Sequence, residues 1–439
     1  MPTNTVPSDR TTDPDLLTDL VARGLIQDST DRAELAERLS EGPITVYVGF
    51  DPTADSLHAG NLVGLLMLRR FQDAGHRVIS LAGGATGMVG DPSGKSDERN
   101  LLDDDALANN LAGIVPQLRQ FLDFDSTDNP AKLLDNRAWT VGVSFLTFLR
   151  DVGKHVTVNQ MMAKESVRNR LDSENGLSFT EFSYMLLQAH DFAWLSENEG
   201  CEMQMGGSDQ WGNITLGTDL IRRRYGRRAF ALTWPLLTKP DGTKYGKTAG
   251  GDTMWLSAER MSPYRFYQAW IQVDDDEVAK LLAQLTLLPL DEIDEIAGEH
   301  QSAPHRRIGQ LRLAWEVTAL VHGEEAARAA VSASEVMFGG GAVADLDRGV
   351  LHTLAHELPT TTLDRSFLAD RPGAVAFLRE TGVTSSNGEA TRLLDQNGIS
   401  LNDAKISGTA VVSVDDLLHD EFLLVRRGKK QVFLVRVVG

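Results

Sequence analysis

The chain has 439 residues, 42% hydrophobic and 24% charged, with one cysteine and a formal net charge of −19. That length exceeds one ordinary core and argues for two or three domains, and the acidic balance excludes a wholly basic nucleic-acid binder. No run approaches 18 apolar residues, so no membrane span or membrane partner is expected, and the lone Cys201 excludes an internal disulfide and fits a reducing, cytoplasmic setting.

In chain order, residues 1–15 are polar, acidic and proline-bearing, and are expected to be a disordered tail. Residues 15–40 read as one helix. ITVYVGF (44–50) is a short, mostly apolar strand, and 61–74 is helical, with Leu62, Leu65, Leu66, Leu68 and Phe71 apolar. RVISLAGG (77–84) is a second strand. Helical periodicity follows at 101–123, 142–151, 158–171 and 179–192. EMQMGG (202–207) is a third strand, SDQWGNITLGTDLIRRR opens another helix, and FALTWPLL (230–237) is a fourth extended piece. Strands alternating with helices predict an α/β fold, a doubly wound parallel sheet with helices on both faces. Such sheets take ligands beyond the carboxyl ends of their strands, where 47–51, 83–91 and 206–210 fall.

From about Ser262 the strands vanish and acidic amphipathic helices run to about Val336. GGGAVADLDRG is a connector and 345–372 is mixed. From Ala374 a compact α+β pattern begins, with a helix, a second helix at NGEATRLLDQNG, a strand at ISLN and a terminal pair around FLLVRRGKKQVFLVRV. The expected division is a catalytic domain at 16–261, a helical domain at 262–340, a linker at 341–372 and a small module at 373–439. From Arg371 onward there are nine Lys and Arg against eight Asp and Glu, so the remainder carries −20. A local RNA contact at the carboxyl-terminal end is compatible with that asymmetry.

Several motifs carry chemistry. In SLHAGNLVGL (56–65), His58 and Asn61 face one side of a first helical turn, where unpaired amides and the helix dipole favour phosphate. Gly60 permits close approach; a simple turn and cap would look the same. GGATGMVGDPSGKSDER (83–99) resembles a phosphate loop but leaves three residues between Gly90 and Gly94, where a Walker A loop needs four. It is either a surface loop or a segment carrying Lys95 and Arg99 to a phosphate. KPDGTKYGKTAGG (239–251) puts Lys244 and Lys247 in a glycine-rich stretch with Thr248 after them, able to stabilise developing phosphate charge or merely solvated. IRRRYGRR (221–228) holds five arginines in seven positions, a solvated helix end or an RNA-backbone contact. His352 and His356 lack the glutamate of a zinc HExxH motif.

Taken together, YVGFDPTADSLHAGN, GGATGMVGDPSGK, EFSYMLLQAHD, GGSDQWGN and KYGKT, in that order, resemble the bacterial tyrosyl-tRNA synthetase family across nearly the whole chain. The resemblance implies a class I synthetase with a Rossmann-type catalytic domain, ATP as substrate with accompanying Mg²⁺, L-tyrosine and tRNA(Tyr) as partners, and a homodimer with interface helices around 139–167. It implies that Tyr47 and Asp191 meet the substrate phenol. Tyr184, Gln188 and Asp91 would hold its ammonium, Gln210 would lie near the carboxylate, and Thr86, Asn136 and Gln204 would support that shell. Tyr184, Gln188 and Asp191 share one helix face by spacing. A site built for a substrate hydroxyl rejects the analogue lacking it, a rule for which tyrosyl-tRNA synthetase is itself the standard example.

For ATP the resemblance implies Gly49, Asp51, Thr53, His58, Gly60, Asn61, Gly207, Asp209 and Lys247. His58, Asn61, Lys95, Arg99, Lys244, Lys247 and Thr248 would stabilise the transition state, with no dedicated metal cage. Two signatures depart from the family pattern. HIGH reads HAGN, placing neutral Asn61 where a second histidine stands, and KMSKS reads KYGKT, keeping both lysines. EATRLLDQNGISLN resembles the RNA-binding domain first known from a small-subunit ribosomal protein, with Arg426, Arg427, Lys429 and Lys430 as phosphate contacts. A tryptophanyl-type synthetase, a nucleotidyltransferase or a non-enzymatic RNA-binding relative are the rival readings.

Overall fold

A computed structural model describes residues 15–93, 102–164, 167–168, 171, 176–239, 242–243, 245, 253–338, 341–428 and 431–439. The chain divides into two compact units, one taking in the chain up to Arg260 together with Asp274–Gly309, the other Met261–Val273 and Gln310–Gly439. No helix among the described residues is long and apolar enough to cross a membrane.

In the first unit, six strands among the described residues form one sheet: β1 (Asp28–Ser29), β2 (Thr45–Phe50), β3 (Arg77–Ala82), β4 (Lys132–Asp135), β5 (Cys201–Gly207) and β6 (Phe230–Trp234). Their order is β1-β6-β5-β2-β3-β4. Every pairing is parallel except that of β1 with β6. From β2 the chain winds outward through β3 to β4, then returns to β5 on the other side. That reversal leaves a crevice beyond the carboxyl ends of β2 and β5. The central strands are nearly continuous apolar runs because both faces are covered. The α/β reading therefore holds. The four strands expected from the sequence are present, while β1 and β4, two and four residues long, are too short to leave a periodic signal.

The expected single helix over 15–40 is two, α1 (Leu16–Ala22) and α2 (Arg32–Ser40). Gly24 adopts a left-handed φ of 66° after α1. Asp31 caps α2 by accepting from the amides of Ala33 and Glu34, and the chain between them pairs β1 with β6. Helix α3 (Ala59–Asp73) forms where the apolar period predicts it, and eleven of its fifteen residues are buried. Near its end Arg70 is buried and donates through Nη2 to the carbonyls of Ala283 and Thr286 at 3.2 and 2.6 Å. Arg23 donates to Leu288 O at 2.9 Å. Two guanidiniums thus meet the carboxyl end of the helix Val278–Leu285, where the helix dipole favours positive charge. Burial, with Arg23 nearby, lowers the Arg70 pKa to about 10.

The second unit holds the helices Pro263–Ile271, Glu324–Phe338 and Arg348–Glu357, most of Ile308–His322, and a five-stranded sheet. That sheet comprises β7 (Thr360–Asp364), β8 (Ile399–Leu401), β9 (Ala404–Lys405), β10 (Phe422–Arg427) and β11 (Gln431–Val438), in the order β7-β11-β10-β8-β9. Residues 341–372, expected as a linker, supply a helix and the edge strand β7, which runs parallel to β11. Buried Glu421 binds Arg348 at 2.6 Å and Arg436 at 2.8 Å, tying the helix Arg348–Glu357 to the sheet. The strand TTTLD lacks apolar alternation, which is why it reads as loop from sequence. The core of this sheet and its helices is Phe377, Leu378, Leu394, Ile399, Leu423, Val425 and their neighbours.

Near the crevice α5 (Phe179–Asn198) packs against α6 (Trp211–Tyr225). At Gly217 a Cβ would lie 2.8 Å from the ring of fully buried Phe192. Gly217→Ala should therefore destabilise the protein by about 1–3 kcal/mol through overpacking, although alanine is the better helix former. Urea denaturation of wild type and variant checks the sign.

Candidate active site

A cavity of about 590 Å³ lies at the carboxyl ends of β2, β3, β5 and β6. At its most buried end are Tyr47 on β2, Gln204 on β5 and Asp191 on α5, each 1–2% exposed. Asp191 accepts from Asn136 Nδ2 and from Trp139 Nε1, both at 2.8 Å. Burial nonetheless raises its pKa to about 7; the two hydrogen bonds oppose the shift and the carboxylates of Asp51 and Asp135 add to it. Burial, followed by the charges of Asp191 and Cys201, also pushes the Tyr47 hydroxyl well above its ordinary pKa. The Tyr47 hydroxyl and Gln204 Oε1 are buried without hydrogen-bond partners. Buried polar groups are ordinarily satisfied, so this end of the cavity is prepared for a ligand that both donates and accepts.

A second polar cluster surrounds Asp51, just past β2. Its carboxylate accepts from the Tyr184 hydroxyl at 2.8 Å and from Thr86 Oγ1 at 2.7 Å. Asn136 Nδ2 reaches Thr86 Oγ1 at 3.1 Å while its Oδ1 accepts from the Ala85 amide at 2.6 Å. A Cβ on Gly83 would lie 2.1 Å from Asp51 Oδ1 and 2.6 Å from Thr86 Oγ1, so glycine there is required by the approach of these two side chains.

A third cluster gathers on α6 and the loop after β3. Gln210 Nε2 donates to Asp91 Oδ2 at 2.6 Å, and Asp91 Oδ1 accepts from the Ser93 amide at 2.9 Å. Asn213, 3% exposed, donates to Gln188 Oε1 at 3.1 Å and to Gln210 Oε1 at 3.3 Å. It therefore fixes both glutamines, and sequence reasoning missed it. The available signal was spacing, since Asn213 lies one turn beyond Gln210 at the start of a helix. Trp139, one turn beyond Asn136, was likewise expected only at an interface helix.

The outer part of the cavity is lined by Gly49, Asp51, Thr53, His58, Gly60, Asn61, Gly207 and Asp209. His58 is the amino-terminal cap of α3. Its Nδ1 accepts from the Gly60 amide at 3.1 Å, and its own amide donates to Asn61 Oδ1 at 3.0 Å. The reciprocal box uses the oxygen of Asn61, which leaves its Nδ2 as the group able to donate to a ligand. A Cβ on Gly49 would meet nothing within 4 Å, so the backbone there faces open space. Of the residues expected around an aromatic amino acid, Tyr47, Thr86, Asp91, Tyr184, Gln188, Asp191, Gln204 and Gln210 line this one cavity, while Asn136 stands behind it.

Lys95, Arg99, Lys244, Lys247, Thr248, Lys429 and Lys430 lie outside the described residues. Arg426 and Arg427, expected as phosphate contacts, both have partners inside their own module. Arg426 Nε donates to Asp403 at 3.2 Å, and Arg427 donates to Glu389 at 2.7 Å and to Val383 O at 3.0 Å. Among the described residues no group of three or more His, Cys, Asp or Glu is placed to hold a metal ion.

The chain is similar to known proteins over nearly its full length. The family model for tRNA synthetases class I (W and Y) matches residues 39–339, and that for the tyrosine–tRNA ligase SYY-like C-terminal domain matches 350–435. A tyrosine–tRNA ligase of Opitutus terrae is 52% identical over 425 residues, covering 96% of this chain and 100% of the relative. One of Porphyromonas gingivalis is 51% identical over 423 residues, covering 94% and 98%. Among solved structures, a C-terminally truncated mitochondrial tyrosyl-tRNA synthetase of Aspergillus nidulans matches with a TM-score of 0.67 at 30% identity, covering 74% of this chain and 94% of that one.

The Asp191 carboxyl has a folded pKa of about 7 against an ordinary value of 3.8. Between those values the folded protein holds a proton that the unfolded chain has released, so stability falls as pH rises toward and through 7. Wild type should accordingly lose stability relative to Asp191→Asn between pH 5 and pH 8. Parallel denaturation curves at the two pH values check this, and a constant difference would contradict it.

Proposed function

The chain belongs to the class I tRNA synthetases (W and Y), it acts as a tyrosine–tRNA ligase, and we propose that Asp191 and Tyr47 are the residues that select tyrosine. L-tyrosine reacts with ATP to give tyrosyl-adenylate and pyrophosphate, and the tyrosyl group then passes to the 3′ end of tRNA(Tyr). The observation that carries the assignment of residues is the buried acceptor–donor pair. A substrate phenol donates to the Asp191 carboxylate and accepts from the otherwise unpartnered Tyr47 hydroxyl. The indole N–H of tryptophan can only donate, and phenylalanine does neither. Leaving buried polar groups unpaired costs about 1–3 kcal/mol each, more for a charge.

In this reading Tyr184, Gln188 and Asp91 meet the ammonium, Gln210 lies toward the carboxylate, and Thr86, Asn136 and Gln204 support them. A carboxylate oxygen of tyrosine attacks the α-phosphorus of ATP in line, the bond to the bridging oxygen breaks, and pyrophosphate leaves with the electron pair. Little proton transfer is needed, so alignment and charge stabilisation dominate. Gly49, Asp51, Thr53, Gly60, Gly207 and Asp209 shape the nucleotide half. His58 and Asn61, with Lys95, Arg99, Lys244, Lys247 and Thr248, stabilise the charge on the phosphates. Mg²⁺ would accompany ATP and offset the charge on its phosphates. In the second step the tRNA ribose hydroxyl attacks the tyrosyl carbonyl and AMP departs.

The carboxyl-terminal module is a contact for tRNA, through Lys429 and Lys430 with whatever reach Arg426 and Arg427 keep beyond their internal partners. A cytoplasmic homodimer completes the proposal. Val141, Phe145, Leu146, Val158 and Phe179 are 59–76% exposed, and so much apolar surface in one stretch of chain suits an interface between copies.

Amino-acid-dependent exchange of pyrophosphate into ATP, run with all twenty amino acids, should give turnover with tyrosine alone. Tyr47→Phe should narrow the preference for tyrosine over phenylalanine by about fivefold, matching roughly 1 kcal/mol for one neutral hydrogen bond; an unchanged preference would remove Tyr47 from the selecting pair. Asn213→Ala should raise the KM for tyrosine by about tenfold, the size of a lost positioning contact, while the KM for ATP stays within about twofold.

A further inference from the structure

Beside His58 the chain forms a small antiparallel ladder that the reaction as described does not use. The Ala59 amide donates to Met254 O at 2.8 Å and the Leu256 amide to Leu57 O at 2.9 Å, with His58 and Trp255 as directly opposed residues. The Ser257 amide donates to Ser56 Oγ at 3.1 Å. From α4 (Asp104–Phe121), Gln117 uses both ends of its amide, accepting from the Leu57 amide at 2.8 Å and donating to Ser56 Oγ at 3.1 Å. Alternation does the rest. Leu57, Met254 and Leu256 are 3–4% exposed and point into the core, so His58 and Trp255 project together from the opposite face. Both line the cavity, their ring centroids 6.4 Å apart.

The far side of the indole is held as well. The Arg260 guanidinium sits over the Trp255 ring, 4.7 Å from its centroid, and the same guanidinium forms an ion pair with Asp55. Asp55 and Arg260 side chains are 38% and 40% exposed, and such a pair contributes little to stability, about 0–1 kcal/mol. Its geometric effect is larger, because it closes a loop of contacts around the turn 51–58, which carries Thr53 and ends at His58.

We infer that Trp255, with the Arg260–Asp55 pair behind it, is a positioning element for ATP activation, holding His58 and the turn of Thr53 where they meet the polyphosphate. This rests on the reading of the cavity as an adenylation site. Trp255 and Arg260 act through His58 and the turn, so their loss reduces the rate of activation and leaves the tyrosine pocket, built on Tyr47, Asp191 and Gln204, as it was. A displacement near 1 Å in such a group costs on the order of 100-fold in rate.

The test is tyrosine-dependent pyrophosphate exchange by the full chain as wild type, Trp255→Ala, Trp255→Phe, Arg260→Gln, Asp55→Asn and the Arg260→Gln/Asp55→Asn double variant. Equilibrium tyrosine binding and the thermal midpoint are measured on each. Trp255→Ala should lower the exchange kcat by about 10- to 100-fold with tyrosine affinity within about twofold of wild type, and Trp255→Phe should restore most of it. Each charge variant should lose about three- to tenfold, and the double variant no more than the worse single one, because both remove the same pair. Variants that exchange at the wild-type rate overturn the positioning role, as do losses that track tyrosine affinity or the thermal midpoint and are not rescued by phenylalanine. If Trp255→Ala does not fold, the exposed Arg260→Gln and Asp55→Asn decide the question alone. Wild type lacking any tyrosine-dependent exchange overturns the adenylation reading and this inference with it.

Discussion

A carboxyl group removed from water has to be answered by donors, and the site is arranged around that demand at Asp191. Its burial is the largest influence on its ionisation. Asn136 and Trp139 supply two donors, and a third is left for a ligand. The elements that hold these three residues come from different parts of the chain: the turn after β4, the short helix Arg137–Thr140 and the interior of α5. The parallel sheet brings them together because all of its central strands end at the same edge. The reversal of winding between β2 and β5 opens the space into which they point. On the proposed assignment, selection of a phenol depends on how the sheet is wound as much as on any one side chain.

The alternation of strands and helices was legible in the sequence because β2, β3, β5 and β6 are apolar runs long enough to stand out, and because α3, α5 and α6 carry recurring apolar positions over several turns. β1, β4 and β7 were not. Each is short or polar and becomes a strand only through a partner distant in sequence, as β7 does against β11. The same limit governs the site. Tyr184, Gln188 and Asp191 could be placed on one helix face by spacing, but the bond from Tyr184 to Asp51 joins residues 133 apart, and no local pattern announces it. Asn213 lay within a quoted motif, yet its importance comes from two glutamines on separate elements.

Charge is a second place where a count misleads. The run Arg222–Arg228 looks like a free cationic surface, yet Arg222 pairs with Asp219, Arg228 with Glu34, and Arg223 donates to the His155 carbonyl. Arg224 and Arg227 lie against the Tyr225 ring. Arg426 and Arg427 are spoken for in the same way. For an enzyme of net charge −19 that handles a polyanion, what matters is how much of each guanidinium's donor capacity remains after its own neighbours have been served. Arginine, with five N–H groups, can hold a structural partner and still face solvent.

Asn136 serves two masters. One Nδ2 group reaches both the Asp191 carboxylate and the Thr86 hydroxyl, and Thr86 in turn donates to Asp51. For anyone recoding this enzyme toward an unnatural amino acid, residue 191 is therefore a poor place to change alone. An apolar side chain there strands the Trp139 N–H and half of the Asn136 amide at the buried end of the cavity, and any relaxation of Asn136 passes through Thr86 to the carboxylate of Asp51. Positions 136, 139 and 191 form one hydrogen-bonded unit, to be randomised together, with the rate of adenylation monitored alongside the choice of side chain.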